Sequence, residues 1–220
     1  MEQSTLKNWR LLIPGIIIYI IGQLFYSTLQ KKEFSDFNMS DIGIPFIAAV
    51  VLGAIYQISG LRYLVTNFSH KQIDINIKKN IINLYNGHLS NTQRQFLFNK
   101  NRLKQIFYKI IDNDTSLSIK KGNVFFNGLL WTSFADIFII SFLSAIFFFT
   151  YSIFGSYEKL EIRNYSIYLL TVSFLSLIAH ILTFFNQIKL SNDQIEFIET
   201  NHINTIKTTI EQSLRENNVN

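Results

Sequence analysis

The residues predict an all-α membrane protein with four transmembrane helices, arranged as two hairpins, and a small helical cytoplasmic cap. Three observations carry this fold class. Hydrophobic residues make up 48% of the 220-residue chain, and they are clumped into four charge-poor runs instead of recurring with the period of a strand or a surface helix. Each run holds roughly twenty residues, the length a helix needs to cross a hydrocarbon core of ~30 Å. The basic residues gather in segments that four successive crossings leave on one side.

The first span is expected over residues 11–29 and has no charge. It is too long for the apolar core of a signal peptide, and no small-x-small cleavage site follows it. The second is expected over residues 42–65, with Arg62 close to its end. Ala49, Gly53 and Gly60 fall on roughly one of its faces, and small residues at that spacing let helices approach closely. The third runs over residues 129–153 and contains Asp136. The fourth runs over residues 165–188 and contains His180. The two prolines, Pro14 and Pro45, are placed in or near the first turn of a span, where a missing N–H costs nothing.

Orientation follows from the basic residues. The segment from 67 to 123 holds ten Lys or Arg against Asp74, Asp112 and Asp114. The loop after the first span sets Lys31 and Lys32 against Glu33, Asp36 and Asp41. The loop after the third sets Lys159 and Arg163 against Glu158 and Glu161. The long middle segment is therefore expected in the cytoplasm, together with both termini, which makes this a multi-pass protein of a cell (inner) membrane. The net charge of +5 is accounted for by this bias. Lipid head groups, rather than nucleic acid, are the expected neighbours of the lysines, because no stacking platform accompanies them.

The expected organisation is a first hairpin over residues 1–66, a mostly helical basic segment over 67–123, a second hairpin over 124–188, and an amphipathic helix with a tail over 189–220. Within the basic segment, the alternation of Ile73, Ile75 and Ile77 suggests a short strand. Ser90 to Gln93 has the form of a capping box opening a helix, whose apolar face is Phe96, Leu103, Phe107 and Ile110. Asp112, Asn113 and Asp114 read as a stop and cap. They lack the glycine and glutamate that a calcium-binding loop requires. Ser191 to Gln194 repeats the capping-box pattern ahead of Ile195, Glu199, His202, Ile206, Ile210 and Leu214 at three- to four-residue spacing, with Ile198 and Ile203 flanking that line.

Asp136 and His180 are the informative residues. An ionisable side chain near mid-membrane is costly, and it turns toward a partner or water. At a rise of 1.5 Å per residue both lie about 10–12 Å from the cytoplasmic boundary. Gln57 and Tyr19 fall at a similar level, so each span offers one polar group to a common layer. On the fourth span Ser166, Ser173, Ser176, His180, Thr183 and Gln187 form a single stripe with a period near 3.5. Ser133, Asp136 and Ser144 share a face of the third. These residues are candidates to line a pore or the bundle interior, with Arg62 as a charge partner for Asp136. Three interpretations are open: an Asp136–His180 hydrogen bond that sets helix register, a water-filled path, or proton handling by the pair.

The chain has no cysteine, which excludes disulfide, thiolate and Cys-zinc chemistry. No metal or cofactor motif is present, and no enzyme activity is expected. In architecture the layout resembles small four-pass membrane proteins that act as pore-forming effectors or membrane companions in prokaryotic anti-phage defence. It is similar in the same way to four-pass immunity proteins that protect against membrane-active toxins. The first likeness implies a homo-oligomer acting on permeability. The second implies a monomeric adaptor bound to a cytoplasmic or membrane protein. A small intramembrane enzyme or transporter is the third reading.

Overall fold

Seven helices follow one another in a computed structural model that describes residues 3–30, 43–155 and 159–218. They are α1 (Gln3–Gln30), α2 (Gly43–Ser59), α3 (Arg62–Asn83), α4 (Asn91–Phe98), α5 (Arg102–Asn113), α6 (Thr115–Phe154) and α7 (Lys159–Glu216). No strand occurs among the described residues. The charged loop with Lys31, Lys32, Glu33, Asp36 and Asp41, and Glu158 of the later loop, lie outside them. Stretches of α1, α6 and α7 are long and apolar enough to cross a membrane. Counting the bent pair of α2 and α3 as one span gives four.

Several expectations need correcting. The second span is not one helix through residue 65. It breaks after Ser59, and α3 leaves at 60° to α2. Gly60 stands at the break with φ of +69°, a left-handed conformation that suits glycine at a helix C-terminus. Its role is this turn rather than helix packing. Ile73, Ile75 and Ile77 lie inside α3: Ile73 and Ile77 are buried as i, i+4 neighbours, so helical packing wins over the local β-branched pattern. Ser191 opens no new helix. It lies within the 58-residue α7, and its hydroxyl donates to the Gln187 carbonyl one turn back. Pro14 is well inside α1, not in its first turn.

Packing divides the chain into two units. One comprises Met1–Asn67 with Gly128–Thr183, the other Phe68–Asn127 with Phe184–Asn220. In the first, α1 and α2 meet through glycine. A methyl group on Gly15 would collide with the Ala49 carbonyl, and one on Gly53 with the Leu11 carbonyl, so the backbones are in direct contact. Farther along α1, Phe25 packs edge-on against Phe147, Phe148 and Tyr151 of α6, with ring centroids 5.2–5.3 Å apart. The outside of this unit is apolar: Ile47, Ile55, Phe147, Phe149, Phe174 and Leu182 are exposed, whereas Ser133, Asp136, Ser141, Ser166, Ser173 and His180 are buried. An apolar exterior is what hydrocarbon selects, and the buried polar groups are interspersed with apolar ones such as Ile139, Phe148 and Ile162.

The second unit has the usual polarity, with Ile77, Ile81, Leu97, Leu103, Phe107, Ile198, Ile206 and Ile210 buried. The capping box forms as its spacing predicts: Ser90 Oγ accepts from Gln93 N, and Gln93 accepts from Ser90 N. Several of the basic residues serve structure here. Lys78 donates to the carbonyls of Phe98 and Lys100. Arg102 donates to those of Phe96 and Asn99 while lying over the Phe96 ring. Lys104 pairs with Asp74 at 2.7 Å.

Candidate functional site

The chemistry of the first unit concentrates around Asp136, and the local sequence explains how three helices reach it. Pro14 has no N–H, so the Arg10 carbonyl one turn earlier loses its helical partner. The turn at Gly60 redirects the chain by 60°, which places Arg62 at the start of α3. Arg62 Nη2 then donates to the Arg10 carbonyl at 2.9 Å. The same guanidinium takes Asp136 on both oxygens, with Nε to Oδ1 at 2.8 Å and Nη2 to Oδ2 at 2.6 Å. Tyr56 on α2 adds its hydroxyl to Asp136 Oδ1 at 3.0 Å. Asp136 is 1% exposed. A carboxylate so buried needs a bidentate cation and further donors, and here three hydrogen bonds reach it, two on Oδ1 and one on Oδ2.

Asp136 and His180 do not bond to each other. His180 Nδ1 donates to the Trp131 carbonyl at 2.9 Å, and its ring lies nearly parallel to the Trp131 indole, 5.8 Å between centroids. The bond to a carbonyl fixes the proton on Nδ1. Equal depth on neighbouring helices does not mean equal azimuth: Asp136 faces α2 and α3, whereas His180 reaches Trp131, more than one turn earlier on α6.

The stripe on α7 has a regular structural use. Ser166 donates to the Ala145 carbonyl at 2.9 Å and Ser173 to the Phe138 carbonyl at 3.2 Å; His180 meets the Trp131 carbonyl. Each step of seven residues up α7 is a step of seven down α6. This is an antiparallel seam with a heptad register, in which a polar side chain bonds to main chain at every second turn. Ser133 and Ser176 are buried and Ser144 is half-buried. Thr183 bonds back to the Ala179 and His180 carbonyls of its own helix. In the second unit, Gln187 accepts from Asn127 at 2.7 Å, and Asn127 in turn accepts from Asn186.

Two members of the expected layer stand elsewhere. Gln57 is exposed; one residue along a helix is a 100° turn, and Tyr56 faces inward in its place. Tyr19 is half-buried and accepts from Gln23 of its own helix at 3.2 Å. Sequence reasoning missed Tyr56, Arg10 and the Trp131 carbonyl. Pro14 four residues after Arg10 was the available signal for a freed carbonyl. A backbone acceptor such as that of Trp131 leaves no mark in residue types.

A second polar pair lies in the other unit. Asp114 Oδ1 accepts from the backbone N–H groups of Ser116 and Leu117, capping α6. Its Oδ2 accepts from His202 Nε2 at 2.7 Å. The hydrogen bond from His202, then those from the α6 amides, hold the Asp114 carboxyl below its ordinary value. His202 interrupts the helical dihedrals of α7 (φ −131°, ψ 16°). Among the described residues no group of three or more His, Asp or Glu side chains converges to hold a metal ion. Set against known proteins, the chain matches no family model, no curated protein and no solved structure.

Proposed function

We propose that this chain is a non-enzymatic multi-pass membrane protein that works by holding a second membrane protein, as an adaptor or immunity-type protein does. In this reading the first unit lies in the bilayer. The second unit and both termini lie in the cytoplasm, the side favoured for a segment with ten basic residues. The observation that carries the reading is the α6–α7 seam together with the closed Arg62–Asp136–Tyr56 cluster. A pore-lining stripe leaves its hydroxyls and ions to water, whereas here Ser166, Ser173, His180 and Thr183 are spent on main-chain carbonyls and Asp136 on Arg62 and Tyr56. The surface left to a partner is apolar. Ile47, Val51, Ile55 and Ile58 are exposed along one face of α2, at the spacing of an unpartnered helix stripe.

The test uses a photo-crosslinking residue at Ile47 or Ile55 in native membranes. A discrete adduct with a different membrane protein is expected, and liposomes reconstituted with the chain alone stay tight. Adducts with lipid alone, or leak from those liposomes, would overturn the reading.

One observation favours a homo-oligomer that regulates permeability as the second reading. The 60° break between α2 and α3 is a broken helix, and such breaks are tolerated where they line a cavity or are covered by protein. That reading expects adducts between copies of the chain and a conductance that changes with Asp136→Asn.

A further inference from the structure

The cluster around Asp136 carries more positive than negative charge. Arg62 and Tyr56 occupy both oxygens of the carboxylate, and Arg62 has taken the Arg10 carbonyl as well. Arg10 itself is left over. Its guanidinium lies beside Gly128, where even a methyl group would come only to van der Waals distance, 3.6 Å from Nη2. Its Nε is buried and has no acceptor among the described residues. A half-buried guanidinium with an unfilled donor and an uncompensated charge is costly twice over. An oxyanion on the accessible side of the guanidinium offsets the charge, and the planar fork of arginine matches phosphate and carboxylate alike.

The place of Arg10 narrows the source. It immediately precedes the uncharged run of α1. Its neighbour Trp9 is exposed, as is Tyr63 next to Arg62. Exposed Trp and Tyr at the end of an apolar run mark head-group depth.

We infer that Arg10, backed by Arg62, is a binding site for a phosphate group, presented by an anionic phospholipid head group or as free phosphate. The inference rests on the bilayer placement of the first unit but not on any protein partner.

The full-length protein is placed in nanodiscs of phosphatidylcholine with or without phosphatidylglycerol, and the lipids it retains on release are counted by native mass spectrometry. Wild type is expected to retain one phosphatidylglycerol in preference to phosphatidylcholine by about fivefold, the ratio appropriate to one cation at a membrane surface. Arg10→Gln loses the preference, Arg10→Lys keeps part of it, and Lys79→Gln, an equal charge change in the second unit, leaves it intact. A parallel arm adds inorganic phosphate to detergent-solubilised protein and follows the Tm. An Arg10-dependent rise there, without lipid preference, assigns the site to free phosphate. Equal retention of both lipids by wild type with no phosphate response overturns the inference, and that result needs no variant to fold. Failure to enter nanodiscs at all would instead sink the bilayer placement.

Discussion

At the scale of single residues, Arg62 and Asp136 form a unit. Removing one partner strands a buried charge, which costs about 3–5 kcal/mol, whereas replacing both with apolar side chains is often neutral or stabilising. Arg62→Ala is therefore expected to lower unfolding stability by that amount, measured by denaturant titration in mild detergent. Asp136→Asn should cost less, and the pair Arg62→Leu with Asp136→Leu should recover most of the loss. A second residue-scale prediction concerns pH. The folded-state carboxyl of Asp114 is held low by the His202 hydrogen bond. Its contribution is therefore complete above the unfolded value of about 3.9 and is lost as pH falls through the lower folded value. The Tm difference between wild type and Asp114→Asn, which keeps a capping side chain, should be full at pH 7 and shrink below about pH 4. Sequence alone exposed Asp136 as a costly residue needing a partner, and Arg62 as a cation near enough to serve. It did not expose Tyr56, because azimuth depends on where a helix actually ends. It misplaced His180, whose partner is a carbonyl.

Between residue and molecule stand the helices, and their boundaries explain most differences from expectation. Hydropathy reports where a chain prefers lipid, not where a helix stops. Hence α1, α6 and α7 extend beyond the runs that revealed them, and α2 stops short at Gly60, whose left-handed φ is a property of the turn. Gly15 and Gly53 test the opposite case, a contact made by the absence of side chains. Gly15→Leu or Gly53→Val forces α1 and α2 apart and should cost about 1–3 kcal/mol or more, as overpacking does. Gly22→Ala, whose added methyl meets nothing within 4 Å, should be tolerated. Resistance to unfolding in SDS, compared across the three, checks this. The Ser90 capping box forms as its local, chemical signal implies, a hydroxyl and an amide three residues apart, but the helix it opens stops at Phe98, and Leu103, Phe107 and Ile110 lie on α5.

For the whole molecule, one contrast organises the rest. The first unit is apolar without and keeps its polar side chains within, among apolar ones, whereas the second buries apolar side chains and exposes polar ones. The clumping of charge in the sequence already implied that contrast, since lysine-rich and charge-poor stretches cannot share one solvent. Whether the polar stripe of α7 faces water or protein was not implied, because serine spaced at 3.5 residues suits a pore and a seam equally. In the structure Ser166, Ser173 and His180 bond to α6 carbonyls, the arrangement of a seam. The absence of cysteine makes the decisive measurement simple. Single cysteines are placed at Ser173, Ser176 and Lys79 and challenged with a membrane-impermeant maleimide in inverted native vesicles. The account predicts rapid labelling of Lys79→Cys and none of Ser173→Cys or Ser176→Cys. Labelling of the two seam positions at a rate comparable to that of Lys79→Cys would mean that water runs along α7, and the closed bundle would have to be abandoned.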